Sequence, residues 1–531
     1  MSSSSSSFIS SAGNPSSSSG GGSTFVKVVC TVTCDNHATE ECQSKDASGS
    51  NSDALSQHPI CYFNGSIHLE ETDLESNGFG KRWGHKRSYA NQLFDATPGT
   101  NGNGWFQAHA PVLLFDSDGS VGLVTSANRP RWFAPRGGRF SALFGGKAGL
   151  EHDADGNQYI FTDHEGGKML FFGDRSPMKG VFKGIVSPNG DQTLARYNAS
   201  RQIEAFVLES GDQSSGYHYE YYTGNRGLLP DQLRTVTHRL NGQNVRRCNY
   251  EYHGKGEPGG VQGDLKSAQL EQYDPASGTW FEVSKSYYRY YTTFASPGFP
   301  SGLKFVVGSE AYARMVKAGI QPETATDSEL ASYADYYFEY DFYQRVSRES
   351  VNGGALTYHF AYQESGNASG FNSWAVKTIE TLPDGNQNTV YTNHAGQVML
   401  KVFTADGHKQ STYYQYDEEG KGLLKAESSA VAAHNEGSPG LVTLKRDQGL
   451  IHTWEYYTDP SNPGYAPGYV KHARVQQGSA GTPVLLKTTQ YVSRTVGGRA
   501  IYLPASEVVF QSEADGGSEP AETRGNVVLV P

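Results

Sequence analysis

Tyr217-His218-Tyr219-Glu220-Tyr221 decides the fold, because an aromatic ring occupies every second position and polar side chains fill the gaps. Successive side chains leave opposite faces of an extended strand, so a period of two reads as β-structure with one aromatic face. The alternation returns at Tyr250-Glu251-Tyr252, Tyr336 to Phe342, Tyr358-His359-Phe360-Ala361-Tyr362 and Tyr414-Gln415-Tyr416-Asp417. Turn formers bound most of these stretches: Thr223-Gly224-Asn225, Asn241-Gly242, Asn352-Gly353-Gly354 and Asp384-Gly385-Asn386. The pattern predicts an all-β fold, a long array of antiparallel tyrosine-rich hairpins.

Composition supports this reading. The chain has 531 residues, of which 62 are Gly, 33 Tyr and 25 Phe, with a mean hydropathy of −0.56. Such a polar, aromatic chain suits sheets with one packed face and one wet face. It suits a parallel α/β sheet poorly, since those strands read as aliphatic runs. The formal net charge of −11 argues against nucleic-acid binding, which draws on a basic stripe. The basic pairs Lys81-Arg82, Lys86-Arg87 and Arg246-Arg247 read as solvated strand edges.

No apolar run approaches the length of a membrane span. The serine-rich start shows neither the basic nor the apolar region of a secretory signal, so localisation is left open. Cys30, Cys34, Cys42 and Cys61 crowd the N-terminal portion around His37, while Cys248 stands apart. A zinc site from these residues lacks the paired C-x₂-C spacing of a strong metal motif. Free thiols are the simpler expectation, with disulfides the alternative.

The chain divides by composition. Residues 1–58 read as a disordered Ser/Gly-rich, cysteine-containing segment, interrupted by one candidate strand at Phe25 to Thr33. Order is expected to begin near Pro59. Residues 59–192 form an N-terminal β region, residues 193–510 the hairpin array, and residues 511–531 an irregular tail. A helical insertion is expected near 309–334. Ser309 to Ala318 favours helix and stops at Gly319, and Thr326-Asp327-Ser328-Glu329 is a capping box. Leu330, Tyr333, Ala334 and Tyr337 then continue one apolar stripe at helical spacing.

Several segments carry a resemblance. Thr72-Asp73-Leu74 and Arg87-Ser88-Tyr89 open the ordered region, followed by Asp155-Gly156-Asn157, Phe161-Thr162-Asp163 and Pro188-Asn189-Gly190. Tyr413 to Leu424 holds a tyrosine–aspartate repeat, with looser copies at Tyr197 to Ile203, Tyr273-Asp274 and Tyr391 to Val398. Together they resemble the Rhs/YD-repeat family from about Pro59 to Phe510. The resemblance implies a spiral β-sheet shell that encloses or displays a C-terminal toxin or effector. It also implies that tyrosines pack on neighbouring strands while Asp and Gly make the turns. The family's C-terminal core, with its self-cleavage site, has no counterpart here, which reads as a truncated frame without the payload.

Chemistry is absent from the motifs. There is no nucleophile elbow, H-E-x-x-H or Walker loop, and the Asp-x-Asp-Gly turns lack calcium-loop spacing. Asn64, Asn198 and Asn367 match the glycosylation pattern without a secretory context. His218, His253 and His359 read as surface or packed neutral histidines. No catalytic, cofactor-binding or metal residue is assigned, and a non-enzymatic scaffold is expected. Its partner would be an effector or a missing C-terminal segment. The alternative is a surface adhesin whose exposed tyrosine faces bind carbohydrate or protein.

Overall fold

The computed structural model describes residues 54–58, 60–76, 83–91, 100–127, 130–136, 139–144, 146–187, 190–223, 231–496 and 499–510. The Ser/Gly tract, the candidate strand at Phe25 to Thr33 and the tail 511–531 lie outside them, as do Gly224-Asn225 and Lys81-Arg82. The described chain is a β-meander with a short helical insertion, matching the fold class expected. Leu69–Ser76, Trp83–Tyr89 and Trp105–Gln107 form a three-stranded sheet. A nine-stranded sheet runs in chain order from Val112–Phe115 to Gln192–Leu194. A twenty-stranded sheet then runs from Arg196–Tyr197 to Arg499–Val509, bypassing only the separate hairpin Val431–His434/Val442–Leu444. All pairings between strands are antiparallel, as short hairpin connections require.

Tyrosines repeat in this sheet for a reason that its register makes plain. Tyr221, Tyr252, Tyr340, Tyr416, Tyr456 and Tyr491 each follow a β-bulge near the same edge of the sheet. A bulge breaks the ladder and leaves a carbonyl without a strand partner. The phenols supply the missing donors. Tyr252 donates to the Leu233 carbonyl (2.8 Å), Tyr340 to Leu303 (2.6 Å), Tyr416 to Val398 (2.6 Å) and Tyr491 to Val470 (3.1 Å). Leu233, in turn, is the residue paired with Tyr221, so each ring caps the bulge before its own.

Five Asx turns share one design. The Oδ1 atoms of Asp163, Asp341, Asn393 and Asp417 each accept backbone N–H groups two and four residues on, at 2.7–3.0 Å. Asn198 makes the second of these bonds, from Gln202, at 3.0 Å. Each loop needs a left-handed residue three positions after the Asx, filled by Gly166, Arg201, Gln344, Gly396 or Gly420. Tyr273-Asp274 differs, since it opens a tight hairpin at the opposite edge, closing on Thr279.

Alternation sorts the rings as expected. Tyr217, Tyr219, Tyr250, Tyr252, Tyr358 and Phe360 are buried, whereas Glu220, Glu251 and His359 between them are exposed. Helix α1 (Ser309–Lys317) and helix α2 (Asp327–Ala331) sit on the other face, packing Met315 and Leu330 against Tyr287, Phe305 and Val307. The capping box forms as anticipated, with Thr326 accepting from Glu329 N–H and Glu329 reaching back to Thr326. The stripe beyond it does not stay helical, because Tyr337 belongs to strand Tyr336–Tyr340 and pairs with Phe305. Sheet pairing wins there over helical spacing, though Tyr333, Ala334 and Tyr337 still reach the same apolar cluster.

Two further expectations change. Cys61 is disulfide-bonded rather than a free thiol. Cys248 is a free, buried thiol, while Cys30, Cys34 and Cys42 lie outside the described residues. Arg87 is not a solvated strand edge either. It is 1% exposed, because strand Trp83–Tyr89 is covered on both faces.

Candidate functional site: the inner face of the large sheet

The aromatic face of the twenty-stranded sheet is filled by the chain's own N-terminal segment. Ala54, Ile60, Tyr62, Ile67, Trp83 and Trp105 join the core made by the sheet's tyrosines. Trp83 stacks on Phe206 with ring centroids 3.8 Å apart, and Tyr217 donates to the Trp83 carbonyl at 3.0 Å. Trp105 donates through Nε1 to the Tyr290 hydroxyl at 2.9 Å. Tyr89 accepts from Leu303 N–H at 2.9 Å. Each contact spans more than a hundred residues of sequence and ties strand to segment.

Two polar clusters lie in this interface. In the first, the Arg87 guanidinium forks onto Asp73, with Nε to Oδ2 at 2.6 Å and Nη2 to Oδ1 at 2.9 Å. Its carbon lies 4.6 Å from the Trp105 ring centroid, and Nη2 also reaches the Tyr288 hydroxyl at 3.1 Å. Tyr250 donates to Asp73 Oδ2 at 2.7 Å. Burial opposes the charge on Arg87, but Asp73 and the surrounding phenols outweigh it and hold the guanidinium protonated. His85, fully buried alongside, is pushed down to about 3 by burial, so it stays neutral. Asp73 and Arg87 are letters of the two opening motifs, and the fold makes them partners.

In the second cluster, Glu349 and Glu380 point to the same buried face from strands Val346–Val351 and Trp374–Thr381, with Tyr358 and Phe360 between them. Glu380 Oε2 accepts from the Tyr62 hydroxyl at 2.6 Å and from Asn388 Nδ2 at 2.8 Å. Its Oε1 has no partner, nor has either oxygen of Glu349. Burial, reinforced by the neighbouring Glu380, raises the Glu349 carboxyl to about 8. The His58 ring stands 5.1 Å from Tyr358, and burial lowers its imidazole against the opposing pull of Glu380. Both carboxyl groups are buried, and His58 and Tyr62 of the N-terminal segment pack against this face.

A cleft of about 1120 Å³ opens elsewhere, between the nine-stranded sheet and the last strands of the large one. Phe144 meets Phe371 across it at 6.0 Å, and Lys147 Nζ lies 4.2 Å from the Tyr469 ring centroid. The β-ribbon therefore turns back on itself. The lining mixes rings with Arg139, His164, Lys421 and Glu418. Among the described residues, no three His, Cys, Asp or Glu side chains are arranged to hold a metal ion, and no helix is long and apolar enough to cross a membrane.

Glu380 was legible in principle, since Trp374, Val376 and Thr378 mark the buried parity that it shares. Glu349 carried no comparable signal.

No protein-family model and no curated protein matches this chain. Among solved structures, the Photorhabdus luminescens Tc holotoxin pore is similar at 11% identity, covering 87% of this chain and 27% of that one, with a TM-score of 0.32. The TcdB2–TccC3 structure is 12% identical over 83% of this chain and 23% of that one, with a TM-score of 0.24. The N-terminal domain of the Salmonella typhimurium effector SpvB is 12% identical over 43% of this chain and 94% of that one, with a TM-score of 0.21. The chain spans about a quarter of the length of the toxin-complex chains.

Proposed function

We propose that this chain is a non-enzymatic β-scaffold, a shell wall whose tyrosine face is built to be covered rather than to bind ligand from solvent. One observation carries the reading: the inward rings are buried, and the bulge-edge phenols are spent on the sheet's own carbonyls or on residues 54–107. An adhesin using the tyrosine rows would need those rings exposed, so that alternative is not favoured.

The cleft is small beside a folded effector. A domain of about 100 residues has a radius of gyration of about 13 Å, and the volume it sweeps exceeds the cleft more than tenfold. A small molecule fits there. An effector domain does not fit in that cleft.

Limited proteolysis with intact-mass readout, run beside size-exclusion chromatography, tests this. The expected result is a resistant core from about residue 54 to 510 that elutes as a compact particle and in which the segment 54–107 stays protected. Release of that segment under native conditions would mean that the inner face is an open binding surface, and the scaffold reading would fall.

A further inference from the structure

The five Asx turns provide an internal control. The loop chemistry uses the Asx, the left-handed residue and the N–H groups, and leaves free the two side chains that follow the Asx. Four turns fill those positions with His164-Glu165, Ala199-Ser200, His394-Ala395 and Glu418-Glu419. The fifth carries Phe342-Tyr343, which are 93% and 67% exposed. The hydrogen bonds of the turn require no aromatic ring, although the Arg345 guanidinium lies 4.9 Å from the Tyr343 ring centroid.

The adjoining loop does the same. Tyr340 N–H donates to the Pro297 carbonyl at 2.8 Å, joining the loop 292–302 to this turn. That loop presents Phe294, 75% exposed, and contains no charged residue from Thr292 to Gly302. In the turn itself, Asp341 and Arg345 neutralise each other at 2.8 Å, and Arg345 lies 3.7 Å from Glu364. Single exposed apolar residues are ordinary on a protein surface. Two hydrogen-bonded loops tipped with three rings are not.

We infer that Phe294, Phe342 and Tyr343 form an insertion tip for the interface of an electrically neutral lipid bilayer. The three rings are exposed to solvent over most of their surface, which suits insertion into a deformable surface. Tyr343 adds a hydroxyl for the headgroup level, as interfacial tyrosines do. Arg345, beside the Tyr343 ring, is already engaged by Asp341 and Glu364, and the chain's net charge of −11 opposes anionic lipid. This goes beyond the scaffold reading and does not depend on it.

Flotation of the full chain with phosphatidylcholine vesicles at low and high salt is the test, with thermal melting as the folding control. The expected result is salt-insensitive co-flotation, with Phe342→Ser and Phe294→Ser each lowering partition about tenfold at unchanged melting temperature. Phe281→Ser, on an exposed strand position away from the tip, should leave flotation intact. Four outcomes overturn the inference: absent flotation, flotation unaffected by the tip variants, a requirement for anionic lipid, or a salt-stable dimer that the tip variants dissolve.

Discussion

At one end of the inner interface Arg87 and Asp73 are buried as a matched pair, and at the other two acids, Glu349 and Glu380, are buried together with three oxygens unpartnered. Both clusters sit between the N-terminal segment and the same tyrosine sheet. The first resolves burial by compensation, with a fork, two phenols and an indole face around the guanidinium. The second resolves it by neutralisation, the Glu349 carboxyl retaining its proton. Compensation survives a change of pH, whereas neutralisation holds only while a proton is available. The two ends of one interface should therefore fail under different conditions.

The largest effect is expected from Arg87→Ala, which strands Asp73 as a buried charge without its partner and should cost about 4 kcal/mol in denaturant unfolding. A loss below about 1 kcal/mol would show that water reaches Asp73 and that the pair does not hold the segment.

Glu349→Gln acts on the other end. A carboxyl raised from its ordinary value of 4.5 to about 8 contributes stability that is complete below pH 4.5 and is lost as pH rises toward 8. The amide removes that loss, so the variant should be more stable than the parent above pH 8, by about 3 kcal/mol, and nearly equal to it at pH 4.5. Parallel pH profiles for the two proteins would falsify the assignment of the alkaline limb to Glu349.

His85 sets the opposite limb. Its imidazole is lowered from 6.5 to about 3, so its contribution is complete above pH 6.5 and disappears as pH falls toward 3. His85→Gln should flatten that acid limb by about 2 kcal/mol, as read from unfolding midpoints between pH 3 and 7, while leaving the alkaline limb untouched.

The smallest effect belongs outside the interface. Tyr416→Phe removes the donor to the Val398 carbonyl without disturbing either cluster. It should cost about 1 kcal/mol at every pH, and a pH-dependent loss would show that the tyrosine ladder and the buried clusters are coupled.

The legible part of this molecule is local. Alternation over five residues placed the tyrosines on one buried face, and Asp-Gly, Asn-Gly and Asn-Gly-Gly runs marked the hairpins. The capping box at Thr326 announced α2. Where a local signal met sheet pairing, as at Tyr337, pairing prevailed because a ladder partner in Phe305 was already in place.

The sequence by itself determined strands, turns, buried parity and the absence of a signature motif, since each depends on side chains within about ten residues of one another. Only the tertiary structure decided what covers the tyrosine face. Tyr62 finds Glu380 across 318 residues, and Arg87 finds Tyr288 across 201. Lys86-Arg87 looked like a solvated edge because a basic pair in a strand carries no mark of the aspartate, phenols and indole waiting elsewhere. Whether a charge is paired, neutralised or wet is a property of its surroundings, and those surroundings exist only once the sheet has curved around its own N-terminal segment.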